Sequence, residues 1–129
     1  MSLDLFHGGD LSHGLMIASK RSSISSIYFE TLSYFTDEAT GAIDYSTLSR
    51  TAAQLRPKLI VAGSALYPRL INYQKFREIA DSVGAYLVAD ITTTAGLIAA
   101  DCHLSPFHYC DIVTASAKVC PGRNRRCSF

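Results

Sequence analysis

The sequence predicts an α/β domain in which a mostly parallel sheet is flanked by helices. Three observations point there. Short apolar runs at 58–63, 85–90 and 111–114 lack the in-out alternation of a half-exposed sheet and are set off by Gly63 and Gly84. Segments with helical periodicity precede the first run and join it to the second, and links between elements are short. Alternating helix and strand with short links implies parallel strands joined by right-handed crossovers.

Taken in order, Leu5–Gly14 puts three glycines and two histidines into ten positions and reads as a loop. Its glycines allow either a close approach to a ligand or a plain turn, and its histidines could bond to or stack on an aromatic ligand. Ser19–Ser26, polar and serine-rich with Lys20 and Arg21, is expected on the surface. Ile27–Leu32 has the aromatic and β-branched content of a strand, and Thr36–Gly41 that of a turn. Asp44 is placed to cap a helix carrying Tyr45, Leu48, Ala52 and Leu55 on one face, which Pro57 ends.

Lys58–Gly63 follows as an interior strand. Asn72 then caps a helix with Tyr73, Phe76, Ala80 and Val83 on one face, and Gly84 stops it. Ala85–Asp90 is the next strand, delivering a carboxylate at its end. Leu97–Ala100 is helical by composition, Ser105–Pro106 starts a short element, and Asp111–Thr114 is the third strand.

At 129 residues and 14.0 kDa, with 48% hydrophobic residues, the chain has the size and apolar content of a single domain, 1–129. Twelve Lys and Arg against eleven Asp and Glu leave a net charge of +1, which provides no whole-chain field for nucleic acid or an acidic membrane. Arg123, Arg125 and Arg126 make a short tail without interleaved aromatics, which reads as solvated. No apolar run reaches bilayer length and Met1–Gly9 lacks the pattern of a signal peptide, so a soluble, intracellular chain is expected, in cytoplasm, mitochondrion or plastid alike. Cys102, Cys110, Cys120 and Cys127 include no C-x-x-C pair and are expected reduced. Cys102, His103, His108 and Cys110 have metal-ligand chemistry without metal-ligand spacing, so no metal site is expected.

Ligands of open α/β sheets sit beyond the carboxyl ends of the strands, which makes Asp90 a candidate site acid. Capping of the Thr92, Thr93 and Thr94 segment is the alternative role. In a parallel sheet Lys118 emerges at the same edge. A lysine converging with an acid suits pyridoxal phosphate, which needs an amine for its Schiff base and a carboxylate to keep its ring nitrogen protonated. A solvated lysine is the plain alternative.

At this point the residues resemble the serine hydroxymethyltransferase (glycine hydroxymethyltransferase) family, especially its plant members, over nearly the whole chain. Leu5-Phe6-His7-Gly8-Gly9-Asp10-Leu11-Ser12-His13-Gly14 is similar to the family's L-P-H-G-G-H-L-S-H-G. Ser26–Glu30, Gly41–Tyr45, Arg56–Ile60 and Ala80–Ala85 match further family segments in the same order. Pro106-Phe107-His108-Tyr109-Cys110-Asp111-Ile112-Val113-Thr114 is similar to P-F-E-Y-C-D-I-V-T.

The resemblance implies part of the large domain of an aspartate-aminotransferase-type fold (pyridoxal-phosphate fold type I). It also implies a transferase of one-carbon metabolism that interconverts serine and glycine with tetrahydrofolate. Asp90 matches the acid that pairs with the cofactor's ring nitrogen, Lys118 the Schiff-base lysine, and Leu5, Gly9 and Leu11 positions lining the folate site. Asp10 replaces the histidine that stacks on the cofactor, Ala65 a serine that contacts it, and Thr93 the histidine of the D-M-A-H motif. The lysine assignment needs one deleted residue; without it Val119 takes the position.

Segments that in the family supply the phosphate site, subunit contacts and the substrate-carboxylate arginine have no counterpart here, which implies a truncated copy with little activity alone. The alternative is a non-catalytic remnant that pairs with a full-length relative, as homo- or hetero-oligomer. A third reading is an α/β module that binds another ligand through Asp10, Asp90, Thr93 and Lys118.

Overall fold

The computed structural model describes residues 1–17, 20–21 and 23–116. Its centre is a parallel sheet of β5 (Leu59–Gly63), β6 (Tyr86–Asp90) and β7 (Ile112–Thr114), with β6 in the middle. Register pairs Leu59 with Tyr86, Val61 with Val88 and Gly63 with Asp90, then Val88 with Ile112 and Asp90 with Thr114. On the outer side of β5 the Met1 amine donates to Leu59 O at 2.8 Å and Val61 N donates to Met1 O at 2.8 Å. These bonds lay β1 (Ser2–Leu3) beside β5, and β1 pairs in parallel with β4 (Ser33–Tyr34). A small antiparallel pair, β2 (Met16–Ile17) with β3 (Lys20–Arg21), stands apart.

Local capping fixes the helices. The Asp44 carboxylate accepts from Ser46 N and Thr47 N at 3.0 Å each and opens α2 (Tyr45–Leu55). Asn72 accepts from Lys75 N at 3.1 Å and opens α3 (Tyr73–Val83), which ends on the left-handed Gly84. Leu48 and Ala52 of α2 and Phe76, Ile79 and Ala80 of α3 form one core with Ile60, Ala62, Leu87 and Ala89 of the sheet. Leu55, expected on the buried face of α2, is 53% exposed because the helix stops at left-handed Arg56. A latch closes the far side: Asp111 accepts from Leu87 N at 2.7 Å and from Arg77 Nη1 at 2.9 Å, tying β7 to β6 and α3.

The expectation of a strand over Ile27–Leu32 is corrected. The chain forms α1 (Ile24–Tyr28), because Ser23 and Ser26 make a reciprocal capping box that closes a helical turn. Ser23 and Ser26 are buried, not exposed; Ser19 and Ser22 lie outside the described residues. After β6 comes α4 (Ala95–Ala99), and beyond it the short element expected from Ser105-Pro106 is a single turn, in which Pro106 O accepts from Tyr109 N and Cys110 N.

Among the described residues the sheet is fully covered on one face. Ile60, Ala62, Leu87 and Ala89 are buried, whereas the register-matched positions Leu59, Tyr86 and Ile112 are exposed and Val61 and Val88 half-buried. Asp90, Gly63 and Thr114 stand at the carboxyl end of that open face. Among the described residues no helix is long and apolar enough to cross a membrane.

Candidate functional site

Asp90 divides its carboxylate between two tasks. Oδ1 accepts from Thr92 N at 3.0 Å and Thr92 Oγ1 at 2.6 Å, while Oδ2 lies 2.7 Å from His13 Nε2. The bond from His13 outweighs the cost of partial burial, and with the Thr92 bonds holds the acid at about 2, below its ordinary 3.8. Asp90 is thus ionised and accepts only, so the proton in the shared bond sits on His13 Nε2. A carboxylate oxygen takes two hydrogen bonds; Oδ1 has both, and Oδ2 has one acceptor position left among the described residues. The capping role left open for Asp90 by the sequence is thus seen at Oδ1, while Oδ2 meets His13.

Backbone proximity shapes the site next to it. A Cβ on Gly63 would lie 2.7 Å from both Cβ and the carbonyl oxygen of Asp90, so only glycine lets β5 close on β6 here. The following loop docks on the opening segment, where Gly8 O accepts from Ala65 N at 3.1 Å and Leu66 N at 3.0 Å. Gly9 is buried and donates to Asp4 O at 2.8 Å; a Cβ there would collide with the carbonyl oxygen of Leu3.

The segment expected as a loop contains two short 3-10 turns. Asp4 caps Leu5–His7 through Phe6 N at 3.0 Å, and Asp10 caps Leu11–His13 through Ser12 N at 2.7 Å and Ser12 Oγ at 2.6 Å. Those two bonds, first of all the one from the Ser12 hydroxyl, keep the Asp10 carboxyl below its ordinary range. Leu5 is half-buried and Leu11 exposed, on the same loop that delivers His13. Thr93 is exposed and donates to Ser64 O at 3.0 Å, tying the segment after β6 to the loop after β5. Lys118 and Val119 lie outside the described residues, as do Cys120, Cys127 and the three tail arginines.

The sequence did not single out His13 as the partner of Asp90. The two are 77 positions apart, and no local pattern marks a bond across that distance. Its side chain is 9% exposed, and Nδ1 is buried with no hydrogen-bond partner among the described residues. Cys102 and His103 engage the chain locally, at Ala100 O and Leu104 O, and among the described residues no three His, Cys, Asp or Glu side chains gather as a metal-holding set. A shallow 260 Å³ groove between α2 and α3, lined by Tyr45, Ser46, Ser49, Lys75, Glu78 and Ile79, includes none of these site residues.

Comparison with known proteins gives one answer. A family model described as serine hydroxymethyltransferase matches residues 1–125. The chain is 53% identical over 116 residues to serine hydroxymethyltransferase 3, chloroplastic, of Arabidopsis thaliana, covering 90% of this chain and 22% of that protein. It is 55% identical over 116 residues to the cytosolic enzyme of Candida albicans, covering 90% and 25%. It is 52% identical over 117 residues to the mitochondrial enzyme of Eremothecium gossypii, covering 90% and 24%. The chain thus spans about a quarter of the length of these curated relatives, and plant and fungal relatives stand level.

Proposed function

The chain belongs to the serine hydroxymethyltransferase family, and from that premise we propose that it carries the ring-facing edge of a pyridoxal-phosphate site for transfer of a one-carbon unit between serine and glycine with tetrahydrofolate. The observation that carries this is Asp90: ionised, at the carboxyl end of the central strand on the open face, with one acceptor position remaining on Oδ2. That position fits a protonated ring nitrogen. Bound there, pyridoxal phosphate supplies an electron sink for bond changes at the amino acid's α-carbon.

The chain's own residues do the rest. Asp90 would hold the ring N–H, and its negative charge would favour the protonated ring. Thr92 and His13 hold the two carboxylate oxygens, so the acid meets the ring without reorganising. Lys118 is the covalent attachment point, and Leu5, Gly9 and Leu11 are the folate-side contacts. Asp10, Ala65 and Thr93 stand where family members have groups that grip the cofactor, so affinity and turnover of this chain alone are low.

The test is titration of the purified chain with pyridoxal phosphate, borohydride trapping and peptide mapping by mass spectrometry, beside Lys118→Ala. A stoichiometric adduct at Lys118, absent from the variant, is the expected result. Scattered or absent labelling of a folded chain would overturn the cofactor reading.

A second reading is favoured by the open sheet face. Leu59, Tyr86 and Ile112 are uncovered, and Ile24, Tyr28 and Phe29 around α1 are 75%, 76% and 71% exposed. Such a surface suits a non-catalytic module that pairs with a full-length family member. Light scattering of the chain mixed with such an enzyme tests it: a complex of defined mass is expected, and separate species would refute it.

A further inference from the structure

We infer that Asp10 is a positioning residue, which fixes the His13 imidazole on Asp90 by capping the turn that carries it. Three observations lead there. The His13 side chain is nine-tenths buried, yet the ring's only polar tether among the described residues is the Nε2 bond to Asp90, since Nδ1 has no partner. A ring held at one nitrogen takes its orientation from the backbone beneath it. That backbone is the Leu11–His13 turn, in which the Asp10 carboxylate accepts from Ser12 N and Ser12 Oγ, and Asp10 O accepts from His13 N at 3.2 Å. Bonds from Ser25 Oγ to Ser12 O at 2.5 Å and from Ser2 Oγ to His13 O at 3.3 Å anchor the same turn to α1 and β1.

The side-chain chemistry separates aspartate from the histidine that the resemblance puts at this position. A carboxylate or amide one carbon from Cβ reaches the amide two residues on and closes an Asx turn. An imidazole offers a stacking face, and its Nδ1 reaches as far as a carboxylate oxygen, but its single lone pair cannot accept from Ser12 N and Ser12 Oγ together as Asp10 Oδ1 does. Asp10 therefore exchanges grip on a flat ring for rigidity of the His13–Asp90 pair.

The inference deepens the reading of the Asp90 site, and its test needs no cofactor, so the two can fail separately. The full 129-residue chain, labelled with ¹⁵N-histidine and free of ligand, is compared by NMR with Asp10→Asn, Asp10→Gln and Asp10→Ala, with the His13 signals assigned through His13→Gln. The short Asn amide keeps the cap and should preserve the slowly exchanging His13 Nε2–H signal. Gln, longer by one methylene, and Ala, with no acceptor, should lose it, while the signals of His7, His103 and His108 stay in place. Retention of the signal in the Gln or Ala variant would overturn the inference. Its loss in a folded Asn variant would do so too, making charge rather than the cap the cause. If far-UV circular dichroism shows the Gln variant unfolded, the Ala variant decides, because it removes the cap without adding bulk.

Discussion

Asp90 shows how much one side chain settles by where its oxygens go. The bond from His13 is the largest influence lowering its carboxyl to about 2. An acid held below its unfolded value adds stability that is fully present above the unfolded pKa of about 4 and is lost as pH falls toward the folded value. Urea titrations from pH 5 down to about 2 should therefore show a falling limb that Asp90→Asn flattens; an unchanged limb would refute the assignment. His13→Gln should move the Asp90 carboxyl resonance toward its ordinary titration range. It should also cost about 1 kcal/mol, less than the usual contribution of a hydrogen bond to a charged group because the site is part-exposed. Gly63→Ala brings a methyl within 2.7 Å of Asp90 Cβ and carbonyl oxygen, so the expectation is a loss of about 1 to 3 kcal/mol together with a shifted Thr92 amide signal.

Elements set by local bonds were legible in the sequence. Asp44 and Asn72 cap helices through amides two or three residues away, so the signal and its effect sit in one window. Asn72→Ala should cost about 1 kcal/mol in thermal or urea unfolding. Phe76→Ala should cost about 3 to 5 kcal/mol, since its fully buried ring packs on Tyr34 and Tyr45 between α3 and the sheet. An effect at Asn72 as large as that at Phe76 would show that the cap governs packing rather than one helix end. The helix α1 escaped because its capping box uses serine at both ends, without the usual glutamate or glutamine, inside a run whose β-branched and aromatic residues favour a strand.

For the whole molecule the deciding feature is the uncovered sheet face. Apolar strands without alternation are suited to cover on both faces, and here Tyr86 and Ile112 meet solvent. With a net charge of only +1, repulsion between copies is weak. The chain should self-associate at micromolar concentration and bind a hydrophobic dye, and Tyr86→Lys with Ile112→Lys should return it to monomer. A wild-type chain that stays monomeric by light scattering would show that this face is not sticky.

The sequence by itself determined α2, α3, β5, β6 and β7, the caps of those two helices and the arrival of Asp90 at a strand end, because these depend on periodicity and on bonds reaching only a few residues. It also carried the family resemblance, through ordered segments such as the one from Leu5 to Gly14. The tertiary structure alone decided which histidine holds Asp90, that Gly63 lies opposite it, that Asp10 caps the turn bearing His13, and which sheet face is left open. Each of these joins groups distant in the chain or depends on which copy of a common turn signal the fold uses. Such pairings are settled by packing and register, which no local window contains.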